Sequence, residues 1–282
     1  MYRIVYKRTL NPSVKLFKVE APLIAKRALP GEFVVLRAFE NGERIPLTIS
    51  DCDEKEGTIT LVFQEVGLST TLLGGLETND YILDVVGPLG IATHLDDLEK
   101  VVVVGGGLGC AIAYPQVKYL HNAGATVDCI AGFRNKELVI LEDELRLVAG
   151  RLFMCTDDGS YGEKGFVTDK LKQLLDSGEK YDCVIAIGPL IMMKFVCKVT
   201  EPYNLKTIVS LNPIMTDGTG MCGCCRVTVG GKTRFACVDG PDFDGHQVDF
   251  DELIRRNTRY KRDEEESMQA HRCRLSEVPL NG

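Results

Sequence analysis

The sequence lacks the features of membrane-spanning, secreted and nucleic-acid-binding proteins. Its longest apolar stretch, from Cys183 to Val196, is interrupted by Gly188, Pro189 and Lys194, so no segment reaches the ~18 residues of a membrane span. The first residues contain no apolar core of a secretory signal. No basic stripe marks a nucleic-acid surface, and the net charge is −7. These absences predict a protein of the reducing cytoplasm whose partners include no membrane and no nucleic acid.

Cysteine, by contrast, is abundant and clustered. The chain has 11 cysteines, and four of them lie among glycines between Cys222 and Cys237. In a reduced protein, such a cluster indicates a metal site rather than disulfides. The other seven are expected to be small buried hydrophobic residues. They are Cys52, Cys110, Cys129, Cys155, Cys183, Cys197 and Cys273.

The spacing within the cluster favours iron and sulfide. Plant-type two-iron sites read Cys-x4-Cys-x2-Cys followed by a distant cysteine. Cys222 and Cys225 have the x2 spacing, Cys237 is the distant ligand, and the x4 position holds Asp217. A carboxylate oxygen could bind iron there, although Asp before Gly also commonly marks a turn. The alternative is a zinc ion held by Cys222, Cys225 and Cys237 together with Cys224, but adjacent cysteines chelate one ion poorly.

Two folding patterns succeed each other along the chain. Up to about residue 97, short β-rich runs recur at intervals near ten residues, which predicts a small antiparallel barrel. From Glu99 onward strands and helices alternate, beginning with the uninterrupted apolar run Val101–Val104. This alternation predicts a doubly wound parallel sheet to about residue 210. The charged segment from Gln247 to Met268 is predicted to be helical, with either a solvated face or a docking surface.

Three glycine-containing loops end strands of the predicted parallel sheet. The first follows Val101–Val104 and opens a helix, as a pyrophosphate-binding turn does. Because these loops share the carboxyl edge of one sheet, they predict a nucleotide crevice. Asp128 lies near the spacing of a ribose-binding acid, but inside a strand rather than at its end. The candidate residues of these loops are Gly105, Gly106, Gly107, Gly109, Asp157, Asp158, Gly188 and Pro189.

The barrel half offers candidates for a flavin site, which needs apolar walls and a few hydroxyls or amides. These are Pro46, Leu47 and Thr48, then Val62, Phe63 and Gln64, then Gly67, Ser69 and Thr70.

With its barrel, glycine-rich α/β domain and C-terminal two-iron ligand set, the chain resembles the ferredoxin reductase-like flavoproteins. Over about residues 1–268 it is similar to the electron-transfer subunit of dihydroorotate dehydrogenase. The chain is more similar to a sister group in two respects: it has Asp217 in place of a cysteine, and it has that group's sequence from Ala236 to His246. That group comprises the small subunits of NADH-dependent reduced ferredoxin:NADP oxidoreductase, also described as sulfide dehydrogenase.

The resemblance implies an oxidoreductase subunit that passes electrons between NAD(H), FAD and a 2Fe-2S cluster. It implies an FAD-binding β-barrel over 1–97, an NAD-binding α/β domain over 98–210, a 2Fe-2S segment over 211–246 and a charged helical tail over 247–282. Pro46, Leu47 and Thr48 would lie by the flavin ring, and Gly67, Ser69 and Thr70 by the FAD pyrophosphate. Gly105 to Gly109 would meet the nicotinamide nucleotide, with Arg134 as a phosphate partner.

The resemblance also implies a heterodimer. The partner would be a larger flavin and iron-sulfur subunit, through which ferredoxin and NADP(H) react by electron bifurcation. No acid–base side chain is required for hydride transfer, so no catalytic residue is predicted. The alternatives are the dihydroorotate dehydrogenase subunit itself, a sulfide- or polysulfide-reducing activity of the same complex, and a zinc-stabilised nucleotide-binding module without redox activity.

Overall fold

The first part of the chain forms a nearly closed antiparallel barrel. The computed structural model describes residues 1–276, with side chains up to Ala270. The barrel elements are β1 (Tyr2–Asn11), β2 (Val14–Glu20), α1 (Pro22–Ala25), β3 (Phe33–Arg37), β4 (Arg44–Asp53), β5 (Thr58–Gln64), α2 (Leu68–Gly74), β6 (Tyr81–Ile82) and β7 (Asp84–Leu89). The strands pair in the order β6-β1-β2-β5-β4-β3-β7.

Alternating side chains give the barrel its interior. Ile4, Phe17, Leu36, Leu61 and Phe63 are almost completely buried and belong to one core cluster. Phe17 and Phe63 meet edge to face, with ring centroids 5.1 Å apart. The predicted antiparallel barrel is therefore confirmed.

The middle of the chain alternates strand and helix as predicted. Its elements are β8 (Lys100–Gly106), α3 (Gly109–Asn122), β9 (Thr126–Phe133), α4 (Glu142–Val148), β10 (Arg151–Thr156), β11 (Glu163–Lys164), α5 (Val167–Asp176), β12 (Cys183–Ile187), α6 (Leu190–Thr200) and β13 (Thr207–Ser210). The strands are parallel, in the order β11-β10-β9-β8-β12-β13.

Helices cover both faces of this sheet. Residues of α3 and α4 pack on one face, and residues of α5 and α6 pack on the other. The strand order reverses between β8 and β12, because β9 lies on one side of β8 and β12 on the other. In open α/β sheets ligands bind at the carboxyl ends of the strands at this switch point.

The segment after residue 210 is interleaved with both domains. Its elements are β14 (Arg226–Val229), β15 (Lys232–Phe235), α7 (Ala236–Asp239), β16 (Asp242–Asp244), α8 (Phe250–Asn257) and α9 (Lys261–Ser276). In the part of the chain that the structure describes, short 3-10 helices span Lys136–Leu138 and Glu201–Tyr203 in the α/β domain and Gly245–Gln247 in this segment. The strands β14 and β15 form a hairpin, whereas β16 extends the α/β sheet antiparallel to β13. The predicted boundary at residue 210 therefore does not separate the sheets.

The barrel and the α/β domain are joined by buried and half-buried contacts. Ser50 Oγ of β4 donates to the carbonyl of Ala111 in α3 at 2.5 Å, and Lys118 Nζ pairs with Asp51 at 2.7 Å. Val62 of β5 belongs to the same buried cluster as Val117 of α3.

Within the predicted tail over 247–282, the structure has the two helices α8 and α9. Residues 277–282 and the side chain of Cys273 lie outside the described residues. Within the described chain, no helix combines the length and the apolarity needed to cross a membrane.

Candidate functional site

The glycine turn after β8 lies at the centre of the carboxyl edge of the parallel sheet, where the nucleotide crevice is predicted. Gly107 has a φ of +57°, and a side chain added there would meet nothing within 4 Å. At Gly109, by contrast, an added Cβ would lie 2.1 Å from the carbonyl oxygen of Ile187. The two glycines therefore have different roles. Gly109 lets α3 begin close to the end of β12, while Gly107 leaves open space in front of the turn.

The loop after β12 lies beside this turn. A Cβ added to Gly188 would stand 3.1 Å from the backbone nitrogen of Gly106, and Pro189 Cδ would lie 3.2 Å from a Cβ at Gly106. The structure thus brings Gly105 to Gly109 together with Gly188 and Pro189 at the switch point of the sheet.

The loops after β9 and β10 are joined by their backbones. Asp157 N donates to the carbonyl of Phe133 at 3.0 Å, and Asp158 N donates to that of Arg134 at 3.3 Å. The Asp158 carboxylate accepts from Ser160 Oγ and N, which lowers the pKa of Asp158. Arg134 is exposed. All four loops therefore lie at one carboxyl edge, with Arg134 free to reach a phosphate.

Asp128 has a structural role at the opposite end of β9. Its buried carboxylate accepts from Arg151 Nε and Nη2 at 2.7 and 2.6 Å, and from Tyr181 Oη at 2.6 Å. Burial alone would raise the pKa of Asp128, but these hydrogen bonds lower it overall. Asp128 is therefore fully engaged by protein groups and does not supply a ribose contact at the nucleotide edge.

Strand β4 presents alternate residues to two environments. Ile45 and Leu47 pack against the barrel core. Because side chains alternate along a strand, Arg44, Pro46 and Thr48 share the opposite face. Arg44, which is exposed, therefore lies on the same face of the strand as Pro46 and Thr48.

The side chains of the neighbouring flavin candidates Val62, Phe63 and Gln64 are already buried or hydrogen-bonded within the protein. Val62 and Phe63 are buried in core clusters, so only their backbone atoms are available to a ligand. Gln64 Nε2 donates to Ser13 Oγ at 3.2 Å.

The hydroxyl groups of Ser69 and Thr70, at the start of α2, are also hydrogen-bonded to nearby protein groups. Thr70 Oγ1 accepts from the backbone nitrogens of Val66 and Gly67, both at 3.1 Å. Ser69 Oγ donates to Glu43 at 2.7 Å. Nothing lies within 4 Å of the place where a Cβ of Gly67 would stand. The backbone at Gly67 is therefore open to an approaching ligand. Ser69 would have to break its hydrogen bond to Glu43 before it could donate to a phosphate.

The cysteine-containing loop lies on the outer face of the barrel. Gly218, Gly220 and Gly223 all have positive φ values, between +68° and +79°. A Cβ at Gly218 would stand 2.7 Å from Leu89 Cδ1 and 3.1 Å from Val35 Cγ2. Glycine at this position therefore allows the loop to lie directly against β3 and β7.

Two of the predicted ligands are already together. The Sγ atoms of Cys225 and Cys237 are 3.2 Å apart, and both residues are buried in a cluster with Phe33 and Val35. Burial, together with the neighbouring Cys225 thiol, raises the pKa of Cys237 to about 12. A thiolate at Cys237 therefore needs a compensating positive charge, which a bound metal supplies.

The other two predicted ligands lie on the exposed side of the loop. Asp217 Oδ1 accepts from Thr219 N at 2.8 Å, and Oδ2 accepts from Cys222 N at 3.1 Å. Backbone hydrogen bonds of this kind lower the pKa of Asp217. Cys222 is exposed and Cys224 is half-buried. The structure thus shows the turn contacts of Asp217, while its role as an iron ligand stays a prediction.

The donor set suits an iron-sulfur cluster, with soft thiolates, a carboxylate and glycine backbone around them. Among the described residues, no three His, Cys, Asp or Glu side chains converge as a group that could hold one metal ion.

The predicted flavin face of β4 and the predicted cluster segment are neighbours. In the β3–β4 pairing, Val35 lies opposite Pro46 and Phe33 lies opposite Thr48. Val35 and Phe33 are the residues that pack with Cys225 and Cys237. Sequence reasoning missed this proximity, because it depends on the packing of the loop against the barrel.

Comparison with known proteins assigns the C-terminal segment. Residues 212–249 match the family model described as the iron-sulfur cluster binding domain of dihydroorotate dehydrogenase B. This match includes all four predicted ligands and supports the iron-sulfur prediction over the zinc alternative.

Relatives match over nearly the whole chain. A dihydroorotate dehydrogenase B (NAD(+)) electron transfer subunit homolog from Thermotoga maritima is 46% identical, with 93% of this chain and 92% of the relative covered. A probable subunit of the same kind from Methanocaldococcus jannaschii is 36% identical, with 90% and 91% covered.

Solved structures agree with the fold. The structure of an NADH-dependent reduced ferredoxin-NADP oxidoreductase, studied for flavin-based electron bifurcation, is similar with a TM-score of 0.91 and 44% identity. That similarity covers 96% of this chain and 98% of the solved one. The ferredoxin reductase of carbazole 1,9a-dioxygenase shares the fold at a TM-score of 0.62 and 16% identity, over 72% of this chain and 65% of its own. The ferredoxin reductase-like fold is therefore confirmed.

Proposed function

Because the chain belongs to the family of dihydroorotate dehydrogenase B electron-transfer subunits and their homologues, we propose that it connects NAD(H), FAD and a 2Fe-2S cluster to a larger partner subunit. It is an oxidoreductase subunit that transfers electrons. The complex that we propose is a bifurcating NADH-dependent ferredoxin:NADP oxidoreductase, in which ferredoxin and NADP(H) react through the partner. We place the protein in the cytoplasm.

One observation carries the proposal. Strand β3 places Val35 beside Pro46 on one side and beside the buried pair Cys225 and Cys237 on the other. Because directly paired residues of neighbouring strands point to the same face of a sheet, a flavin at Pro46 and a cluster at the cysteines would lie next to each other on that face. Such close placement is what electron transfer between two bound groups requires.

The barrel offers the contacts that a flavin nucleotide needs. Pro46 supplies an apolar wall, and Thr48 supplies a hydroxyl on the same face. Arg44 is exposed on that face and can pair with a phosphate. Gly67 leaves room for the pyrophosphate to approach the backbone at the turn before α2.

The carboxyl edge of the α/β sheet offers the nicotinamide nucleotide site. The open turn at Gly107 lets a pyrophosphate reach the backbone, and Arg134 supplies a positive charge. Asp157 and Asp158 carry hydrogen-bond acceptors at the same edge. When bound, the flavin would supply exchange of a hydride with the nicotinamide and of single electrons with the cluster.

The cluster ligands that we propose are Asp217, Cys222, Cys225 and Cys237. Cys225 and Cys237 fix the buried side, while Asp217 and Cys222 hold the side that faces solvent. Cys224 is left as a spare thiol.

A second candidate is the dihydroorotate dehydrogenase B subunit itself, which the family membership favours. Asp217 at the place of the first cysteine, and the similarity over 98% of the solved oxidoreductase chain, favour the ferredoxin:NADP complex. The two candidates differ in their partner, because the pyrimidine enzyme's partner would be an FMN-binding barrel.

Anaerobic purification tests the proposal. We expect about two irons, two acid-labile sulfides and one FAD per chain, with a visible spectrum that NADH bleaches. A large subunit containing flavin and iron-sulfur centres should co-purify. A colourless protein with one zinc and no flavin would contradict the electron-transfer function, whereas an FMN barrel as the co-purified partner would select the second candidate.

A further inference from the structure

A small pocket lies between the cluster loop and the end of α8. It has a volume of about 100 Å³, and its walls include the loop from Cys222 to Cys224. Three arginines line it: Arg226 from the start of β14, Arg256 from the last turn of α8, and Arg259 just after that helix. We call this site the arginine pocket.

The pocket is attached to the cluster loop by direct contacts. Arg256 Nη2 donates to the carbonyl of Cys224 at 3.4 Å. Asn257 Nδ2 donates to the carbonyl of Asn212 at 3.1 Å, which ties α8 to the start of the segment. The pocket is therefore built on the outside of the predicted cluster site.

The three guanidinium groups have no carboxylate partner among the side chains that the structure describes. Ion pairs occur throughout the described residues, and Arg262, close along the chain, pairs with Glu266 at 2.8 Å. None of the described ion pairs involves Arg226, Arg256 or Arg259. Three like charges around one small pocket repel one another. The proposed ligand Cys222 lines the same pocket and would supply one negative charge as a thiolate. In a chain of net charge −7, three guanidinium groups exceed that charge and favour a further anionic group in the pocket.

The surface around the pocket has the composition of a protein interface. Met221 is 89% exposed next to Cys222, and Tyr260 in the pocket wall is 48% exposed. Val238, which packs against the loop at Gly220, is 41% exposed. Methionine, tyrosine and arginine are enriched at the centres of protein interfaces. Exposed apolar side chains contribute nothing to binding a free inorganic anion, so they favour a protein as the source of the negative charge.

We propose that the partner subunit docks on this face by placing a carboxylate in the arginine pocket, with Met221 as the adjacent apolar contact. This inference rests on the proposed function, because the partner is the larger subunit named there. The rest of the chain is acidic overall and repels an acidic partner surface. The pocket would therefore orient the partner so that its contact falls beside Cys222.

Binding measurements on the cofactor-loaded chain test the docking. The probe is the large subunit that co-purifies with the parent chain, separated and titrated back. We expect Arg226→Gln and Arg259→Gln each to raise the Kd for this subunit about tenfold, with a larger effect for Arg259→Glu. The parent Kd should increase with ionic strength, and this dependence should be weaker in the Arg226→Gln, Arg259→Gln double variant. Arg255→Gln is the matched control, since Arg255 is exposed on α8 but does not line the pocket.

Cofactor readouts separate docking from a failure of the proposed function. The variants should keep the iron, sulfide and flavin content of the parent, and should reduce ferricyanide with NADH at the parental rate. If the parent itself lacks these cofactors or binds no large subunit, the proposed function fails, and the docking proposal fails with it.

Other outcomes overturn only the docking proposal. One is a Kd in the pocket variants that equals that of Arg255→Gln. Another is titration with inorganic phosphate that shows millimolar binding lost in the variants, while partner binding is unchanged. The second result would make the pocket a small-anion site.

Discussion

The sulfur atoms of Cys225 and Cys237 lie 3.2 Å apart, although the two residues are 12 positions apart in the chain. The hairpin of β14 and β15 brings them together, because Arg226 at its start lies opposite Phe235 at its end. Ala236 N also donates to the carbonyl of Cys225 at 3.1 Å. The hairpin therefore holds the buried half of the predicted ligand set together.

Removing either buried thiol should abolish the cluster. In Cys225→Ala or Cys237→Ala we expect iron and sulfide to fall from about two of each per chain toward zero, because one iron would lose a protein ligand on the buried side of the cluster. Cys224→Ala is the control and should retain both, together with the visible absorption. Loss of iron in Cys224→Ala with full iron in Cys225→Ala would show that Cys224 is the ligand instead.

Asp217→Cys should raise the midpoint potential of the cluster by on the order of 50 mV, close to a tenfold change in a one-electron equilibrium. A carboxylate oxygen is a harder ligand than a thiolate and favours ferric iron more strongly. A redox titration followed by electron paramagnetic resonance measures the shift.

Asp217→Asn separates the role of Asp217 as an iron ligand from its role in the turn. Its amide oxygen can still accept from Thr219 N, but it is not an anionic ligand. An unchanged potential in Asp217→Cys would mean that Asp217 serves only the turn.

Gly107→Ala should weaken NADH binding while the fold survives. The alanine methyl would enter the open space before the turn, and the left-handed backbone would cost about 1 kcal/mol. We expect the KM for NADH in dye reduction to rise about tenfold. Gly124→Ala is the matched control, since Gly124 also has a positive φ and open surroundings. It should lose similar stability with an unchanged KM. Equal KM values in the two variants would argue against a nucleotide at Gly107.

Asp128→Asn should destabilise the protein without affecting NADH. The substitution removes the charge that pairs with Arg151, and we expect a loss of about 2–3 kcal/mol, since Arg151 is only half-buried. Tyr181→Phe, which removes one hydrogen bond to the same carboxylate, should cost about 1 kcal/mol. Both variants should keep the parental KM for NADH, and a raised KM in Asp128→Asn alone would restore Asp128 as a nucleotide contact.

How far the sequence predicts the structure depends on how local each feature is. The strand, glycine turn and helix from Lys100 to Asn122 are contiguous, so hydrophobic pattern and glycine spacing predict them. Strand β16 has only three residues, and it pairs with β13 across a long sequence separation. The sequence therefore contains no hydrophobic pattern that predicts β16 as a strand of the α/β sheet.

The candidate sites show the same division. The spacing of Cys222, Cys225 and Cys237 predicts the iron-sulfur segment, because ligands that are close in sequence are positioned by the geometry of a single loop. Residue spacing places Asp128 near a ribose acid, but the register puts it at the other end of its strand. The arginine pocket combines residues from β14 and α8, so only tertiary packing reveals it.

Asp242 should make stability depend on pH in a direction opposite to that of a typical paired aspartate. It lies where the barrel, the linker and β16 meet, and its Oδ2 accepts from Thr93 Oγ1 at 2.5 Å, while Oδ1 is buried without a partner among the described residues. Burial raises the pKa of Asp242 to about 6, although the Thr93 hydroxyl acts to lower it. The folded state therefore holds this proton more tightly than the unfolded chain does, where the carboxyl has its ordinary value of 3.8.

The contribution of Asp242 to stability is fully present below pH ~4 and is lost as the pH rises through about 6, because ionisation costs more in the folded state. Asp242→Asn is neutral at every pH and escapes this loss. Relative to the parent, its free energy of unfolding should increase by roughly 1–2 kcal/mol between pH 5 and pH 7. Urea denaturation at pH 5, 6 and 7 measures the difference.

Asp244→Asn is the matched control, since Asp244 is an exposed neighbour in the same strand. A pH dependence in Asp242→Asn equal to that of the parent would show that Asp242 is already ionised at pH 5. The buried Oδ1 would then need a hydrogen-bond donor from water.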